Sequence, residues 1–141
     1  MESPQGKNIL VIDDSLDSQL LLSTLLEAKG HSVFCFSNGR EALAWLQSLT
    51  ILPDVILVDL RMPVMNGFEF LDLQRRIPKL KDIPTIVMSG DESKGANLNH
   101  RSRIFLKKPF NIGSVLTAIE GHPRIHKRVN WSDSQQFLNP A

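Results

Sequence analysis

The chain has a single cysteine, no tyrosine and a net charge of only +1. One thiol, Cys35, permits neither a disulfide framework nor cysteine-based zinc-ligand spacing. A charge so close to neutral gives no general electrostatic argument for binding nucleic acid or a membrane surface. No apolar run approaches the roughly 20 residues that cross a bilayer. The short polar stretch from Met1 to Lys7 lacks the apolar segment of a secretion signal. Gly-rich phosphate loops of the G-x-x-x-x-G-K-[ST] and G-x-G-x-x-G types are absent, so NTPase and dinucleotide-binding readings have no motif. Internal repeats and low-complexity blocks are absent as well. These absences leave a reduced, cytoplasmic globular protein as the expectation. With 141 residues, 42% of them hydrophobic, the chain can bury one core without staples.

Three short pieces each carry ionisable groups at the end of an apolar run: Ile9-Leu10-Val11-Ile12-Asp13-Asp14, Val55-Ile56-Leu57-Val58-Asp59 and Ile104-Phe105-Leu106-Lys107-Lys108. Runs rich in Val and Ile, flanked by helical patterns, read as buried parallel strands. The carboxyl ends of such strands share one edge of an open α/β sheet, where ligands bind. Three carboxylates and an ammonium are thereby predicted to meet in one pocket. Crowded carboxylates repel unless a cation joins them, so the arrangement asks for a hard divalent metal and an anionic substrate. That chemistry points to phosphoryl transfer.

Between these strands the pattern alternates. Leucines at 20, 21, 22, 25 and 26 predict a helix from Asp17 to Lys29, capped by Ser15 or Asp17 and stopped by Gly30. Ser32 to Phe36 reads as a second strand, which makes Cys35 a small buried hydrophobe. A helix follows Asn38-Gly39, with Trp45 as packing, and another runs from about Phe68 to Arg76. Thr85 to Ser89 is a fourth strand, Ile104 to Lys107 a fifth, and Ile112 to Glu120 a last helix. The alternation predicts a doubly wound α/β fold with a five-stranded parallel sheet. The segment from Gly90 to Arg103 has a poor amphipathic pattern, so the fourth helix is expected to be short or degenerate.

These pieces in this order resemble the receiver domain of two-component response regulators, the chemotaxis-type phosphoacceptor module. The resemblance rests on Asp13-Asp14, on Asp59-Leu60-Arg61-Met62-Pro63-Val64-Met65-Asn66-Gly67, on Ser89-Gly90 and on Lys108-Pro109-Phe110. It implies a flavodoxin-like strand order 2-1-3-4-5, an extension at 1–6, the receiver at 7–121 and a tail without its own core at 122–141. Asp59 is then the phosphoacceptor. Asp14, Asp59 and the backbone carbonyl of Arg61 look like the ligands of one Mg²⁺, with Asp13 acting from the outer shell. Ser89 and Lys108 match the phosphoryl-binding residues, Ser89 and Phe105 the switch pair, and Arg61 and Asp91 the positions that flank the water approach. Between the two adjacent lysines, the pattern places the active one directly before proline, which selects Lys108 over Lys107.

Taken singly, Asp13 and Asp14 also suit a helix cap and a first-turn charge. The favoured reading is a stand-alone regulator that takes a phosphoryl group from a sensor histidine kinase or a histidine phosphotransfer protein and passes the signal to a downstream protein. It is not expected to turn over an external substrate, bind DNA or touch a membrane. Two alternatives are a receiver-like binding module that works unphosphorylated and an aspartyl-phosphate phosphatase of the haloacid dehalogenase type. The latter class has a second Asp two residues after its nucleophile, where this chain has Arg61. The span from Ser89 to Lys108 is shorter than in a typical receiver by roughly one helical turn. Asn99-His100-Arg101-Ser102-Arg103 replaces the usual small residues, so a monomer or weak dimer is expected.

Overall fold

The computed structural model describes residues 6–62, 64–90, 104–108 and 111–121. Along the chain come β1 (Asn8–Ile12), α1 (Leu16–Ala28), β2 (Ser32–Phe36), α2 (Gly39–Ser48), β3 (Val55–Asp59), α3 (Gly67–Arg76), β4 (Thr85–Ser89), β5 (Ile104–Lys107) and α4 (Ile112–Glu120). The strands form one parallel sheet in the order β2-β1-β3-β4-β5. The expected degenerate helix between β4 and β5, the tail at 122–141, and Asp91 lie outside the described residues.

Alternation along the central strands divides the core in two. Leu10, Ile12, Ile56, Val58 and Val87 face α2 and α3, where they meet Ala42, Leu46, Phe70 and Leu71. Ile9, Val11, Val55, Leu57, Ile86 and Met88 face α1 and α4, where they meet Leu22, Leu26, Val115 and Ile119. β1, β3 and β4 are buried on both faces, which is why their sequences run apolar without alternating. Trp45 packs as expected, stacked on Phe34 at 4.8 Å.

Each helix starts on a polar cap. Ser15 receives the amide of Ser18, Asn38 that of Glu41 and Asn111 that of Ser114, while Asn66 and Glu69 make a reciprocal capping box. Ser15 therefore takes the capping role and leaves both Asp13 and Asp14 free of it. At the opposite edge of the sheet, the buried Lys7 donates through Nζ to the carbonyl of Ile119 at 2.8 Å. Asp54 accepts the Asn8 amide at 2.8 Å, and His31 Nδ1 that of Lys7 at 3.0 Å. This second polar layer closes the end of the sheet remote from the acids.

β2 is an edge strand, so Cys35 is half-buried rather than enclosed. Its thiol is pushed up to about 11, first by burial and then by the charges of Glu27 and Asp13. A raised thiol pKa means that the unfolded chain releases this proton first, so the fold loses stability as pH climbs through that range. At pH 8 the folded thiol should alkylate with iodoacetamide at least tenfold more slowly than the urea-unfolded chain, since thiolate is the reactive form. Equal rates would show that the fold does not hold the thiol protonated.

Candidate functional site

Strand register builds the site. Ile12 pairs with Val58, so the next residues, Asp13 and Asp59, emerge side by side at the carboxyl edge of the sheet. Ser89 pairs with Lys107, and the following amide, that of Lys108, donates to the Ser89 carbonyl at 2.7 Å. Lys108 Nζ then reaches Asp59 Oδ2 at 3.0 Å and Asp13 Oδ2 at 3.2 Å. Lys107, one residue earlier, is exposed. Neighbouring side chains on a strand point to opposite faces, and here that alternation separates the two lysines.

Carboxylate oxygens of Asp13, Asp14 and Asp59 lie within 4.8 Å of one another. Asp13 is fully buried and Asp59 nearly so, whereas Asp14 is exposed to solvent. Asp13 Oδ1 accepts the Ser15 amide at 2.9 Å, and Asp59 Oδ1 accepts the Arg61 amide at 3.0 Å. Burial pushes Asp13 above the usual carboxylate range; the Ser15 amide and Lys108 oppose that rise, and the Asp59 charge adds to it. Burial works to lower the pKa of Lys108, but the hydrogen bond to Asp59 and the charges of Asp13 and Asp59 outweigh it, leaving it raised. One ammonium against three carboxylates leaves the cluster negative. An all-oxygen, net negative donor set suits a hard cation such as Mg²⁺, which prefers carboxylates and keeps several waters.

The other expected site residues take separate places around the sheet. An open cleft of about 440 Å³ runs beside Asp14, lined also by Leu60, Arg61, Met62, Asn66 and Phe68. The Arg61 side chain is exposed at its rim, and Ser89 is buried at the end of β4. Gly90 is exposed, and among the described residues a methyl group there would meet nothing within 4 Å. Phe105 is half-buried and packs against the core on the α2 and α3 side, alongside its register partner Val87. Asp91, expected beside the water approach, lies outside the described residues.

The turn from β3 to α3 is tightly held. Gly67 donates its amide to the Leu60 carbonyl at 3.1 Å, and Gly39 at the start of α2 reaches the Met65 carbonyl at 3.4 Å. Val64 adopts φ 69°, a left-handed conformation unusual for a β-branched residue. A residue that sequence reasoning passed over also belongs here. Gln19 Nε2 donates to the Asp13 carbonyl at 2.6 Å and to Ser37 Oγ at 3.1 Å. A lone glutamine in a leucine-rich helix gives no pattern signal; its place four residues after the cap is the only hint.

Comparison with known proteins agrees with this architecture. The response regulator receiver domain family matches residues 9–120, and the chain belongs to that family. The cyclic di-GMP phosphodiesterase response regulator RpfG of Xanthomonas campestris is 36% identical over 110 residues, which are 74% of this chain and 29% of RpfG. The chain thus spans less than a third of that relative. Chemotaxis protein CheY4 of Vibrio cholerae superposes with a TM-score of 0.73 at 32% identity, covering 83% of this chain and 98% of CheY4. TrrA of Thermotoga maritima, a response regulator solved in complex with Mg²⁺ and BeF, gives a TM-score of 0.71 at 26% identity, covering 82% and 97%. No described helix is long and apolar enough to cross a membrane.

Proposed function

We propose that the chain is a stand-alone cytoplasmic receiver that accepts a phosphoryl group on Asp59 and signals through altered affinity for a partner. The observation that carries the phosphoacceptor part of this reading is the Asp13, Asp14, Asp59 and Lys108 cluster at the carboxyl edge of the sheet. Asp59 is the nucleophile: one carboxylate oxygen forms a bond to phosphorus as the P–N bond of a donor phosphohistidine breaks. The electron pair leaves on the imidazole nitrogen, which takes a proton from solvent, and Asp59 becomes an acyl phosphate. Asp14, Asp59 and the Arg61 carbonyl would hold one Mg²⁺, with Asp13 behind them. When bound, the ion supplies positive charge toward the transferring phosphoryl oxygens.

Lys108 does the remaining electrostatic work. Its ammonium already spans Asp13 and Asp59, so it is placed to follow charge onto a phosphoryl group added to Asp59. The Ser89 hydroxyl then binds a phosphoryl oxygen. Phe105, one strand over, responds by turning further into the core it already touches. This coupling shifts a conformational equilibrium rather than turning over an external substrate.

The donor is a histidine kinase or phosphotransfer protein, and apolar surface near the acids supports that reading. Leu16 and Leu20 are 71% and 66% exposed, on the helix that begins just past Asp14, and Val64 is 69% exposed on the turn after Asp59. A small acyl-phosphate donor with Mg²⁺ should label the chain; no label with the ion present would sink the proposal. Leu20→Lys should leave that labelling within twofold of the parent. Transfer from a protein donor that labels the parent should fall at least tenfold, the factor that about 1.4 kcal/mol of lost docking gives. Equal losses with both donors would place the defect in the site rather than in docking.

A further inference from the structure

The carbonyl of Asp13 belongs to the peptide unit that joins the two adjacent acids. Six atoms of that unit, from the Cα of Asp13 to the Cα of Asp14, are held in one plane. Whatever fixes the carbonyl direction therefore fixes the position of the Asp14 Cα, from which its side chain departs. Gln19 Nε2 sits 2.6 Å from that oxygen and 3.1 Å from Ser37 Oγ, so one amide group spends its donors on the β1–α1 loop and the β2–α2 loop together. The Asp13 amide is pinned separately, to the Phe36 carbonyl at 3.0 Å. With its side chain held by Ser15 and Lys108, Asp13 is tied at every polar atom.

We infer that Gln19 is a positioning residue for the cation site, aiming Asp14 by clamping the Asp13–Asp14 peptide plane. This inference rests on the reading of Asp14 as a metal ligand. The two acids differ in what they need. Asp13 has partners on both carboxylate oxygens, whereas Asp14 is exposed, and among the described residues no hydrogen bond or ion pair is seen to orient its side chain. Its aim comes from the backbone, and the last link in that backbone is held by Gln19. Ser37 keeps the amide from rotating, because Nε2 would otherwise be free to follow the Asp13 carbonyl as it tilts. A magnesium ion demands near-ideal octahedral geometry, so a ligand that swings weakens binding more than one merely shifted with its neighbours.

Gln19→Met keeps the length of the side chain and removes both donors. Mg²⁺ titrated by calorimetry, with no phosphodonor present, should show a dissociation constant raised three- to tenfold. Labelling by a small acyl phosphate should need correspondingly more Mg²⁺ and reach the same maximal rate within twofold. Ser37→Ala, which removes one arm only, should raise the dissociation constant by about twofold. Leu26→Ala, in the core on the same helix away from the clamp, should lower stability and leave Mg²⁺ affinity unchanged, which separates positioning from general loosening. An unchanged dissociation constant in Gln19→Met, or equal shifts in Gln19→Met and Leu26→Ala, would overturn the clamp. A parent chain that binds no Mg²⁺ would instead overturn the reading of the acidic cluster itself.

Discussion

Asp59→Asn should take up no phosphate from a small acyl-phosphate donor, a loss of at least about a hundredfold in labelling rate with Mg²⁺ present. The amide oxygen is neutral and a poor nucleophile, and no other carboxylate can replace it. Asp13 is fully buried with both oxygens occupied, and Asp14 stands exposed, apart from the Lys108 ammonium. The fold should survive. The Asn Oδ1 can still accept the Arg61 amide, and Lys108 retains Asp13 at 3.2 Å. Removing one of three crowded carboxylates also relieves repulsion, which offsets the lost contact to Lys108. Melting within about 5 °C of the parent, roughly 1 kcal/mol for a domain of this size, is the expected companion result. Undiminished label in this variant would show that the nucleophile lies elsewhere.

Much of this site was legible because parallel strands announce themselves. β1 from Ile9 onward and β3 run apolar up to their acids, so the sheet edge could be located from Asp13-Asp14 and Asp59 alone. The choice of Lys108 over Lys107 rests on the residue before proline, and the structure places the Lys108 ammonium 3.0 Å from Asp59. The helices were harder to read. Of the leucines in α1, Leu22 and Leu26 are buried, while Leu20 and Leu21 face solvent. Leucine all round a helix has no apolar side to pick out, and burial of two such side chains, roughly 1.5–3 kcal/mol each, is enough to seat it on the sheet. Cys35 was expected to be buried and is only half so, because strand composition does not reveal which strand lies at the edge. Gln19 was invisible for another reason. Its two partners come from separate loops, and only the folded register of β1 against β2 brings them together.

Gly67→Ala should damage both the fold and the site, whereas Gly90→Ala should leave stability unchanged. A methyl group on Gly67 would fall 2.5 Å from the Asp59 carbonyl oxygen and 2.7 Å from the Leu60 Cα. Both are backbone atoms of the strand end and the turn, so no side-chain rotation can relieve the overlap. The start of α3 must then move off β3, or the end of β3 must move and take Asp59 with it. Either way the Gly67 amide bond to the Leu60 carbonyl is strained. Overpacking of this kind costs about 1–3 kcal/mol, and the better helix propensity of alanine returns at most about 1 kcal/mol of it. The melting temperature should fall by several degrees. Labelling of Asp59 should fall by at least tenfold even at temperatures where the variant is folded, because the Asp59 carboxylate and the Arg61 amide that it accepts share the displaced segment. Gly90 borders the same site, and among the described residues nothing crowds it, so it controls for the loss of a glycine as such. Thermal melts and small-donor labelling of both variants measure the contrast. If Gly67→Ala melts and labels like Gly90→Ala, the close approach of α3 to the end of β3 does not position the phosphoacceptor.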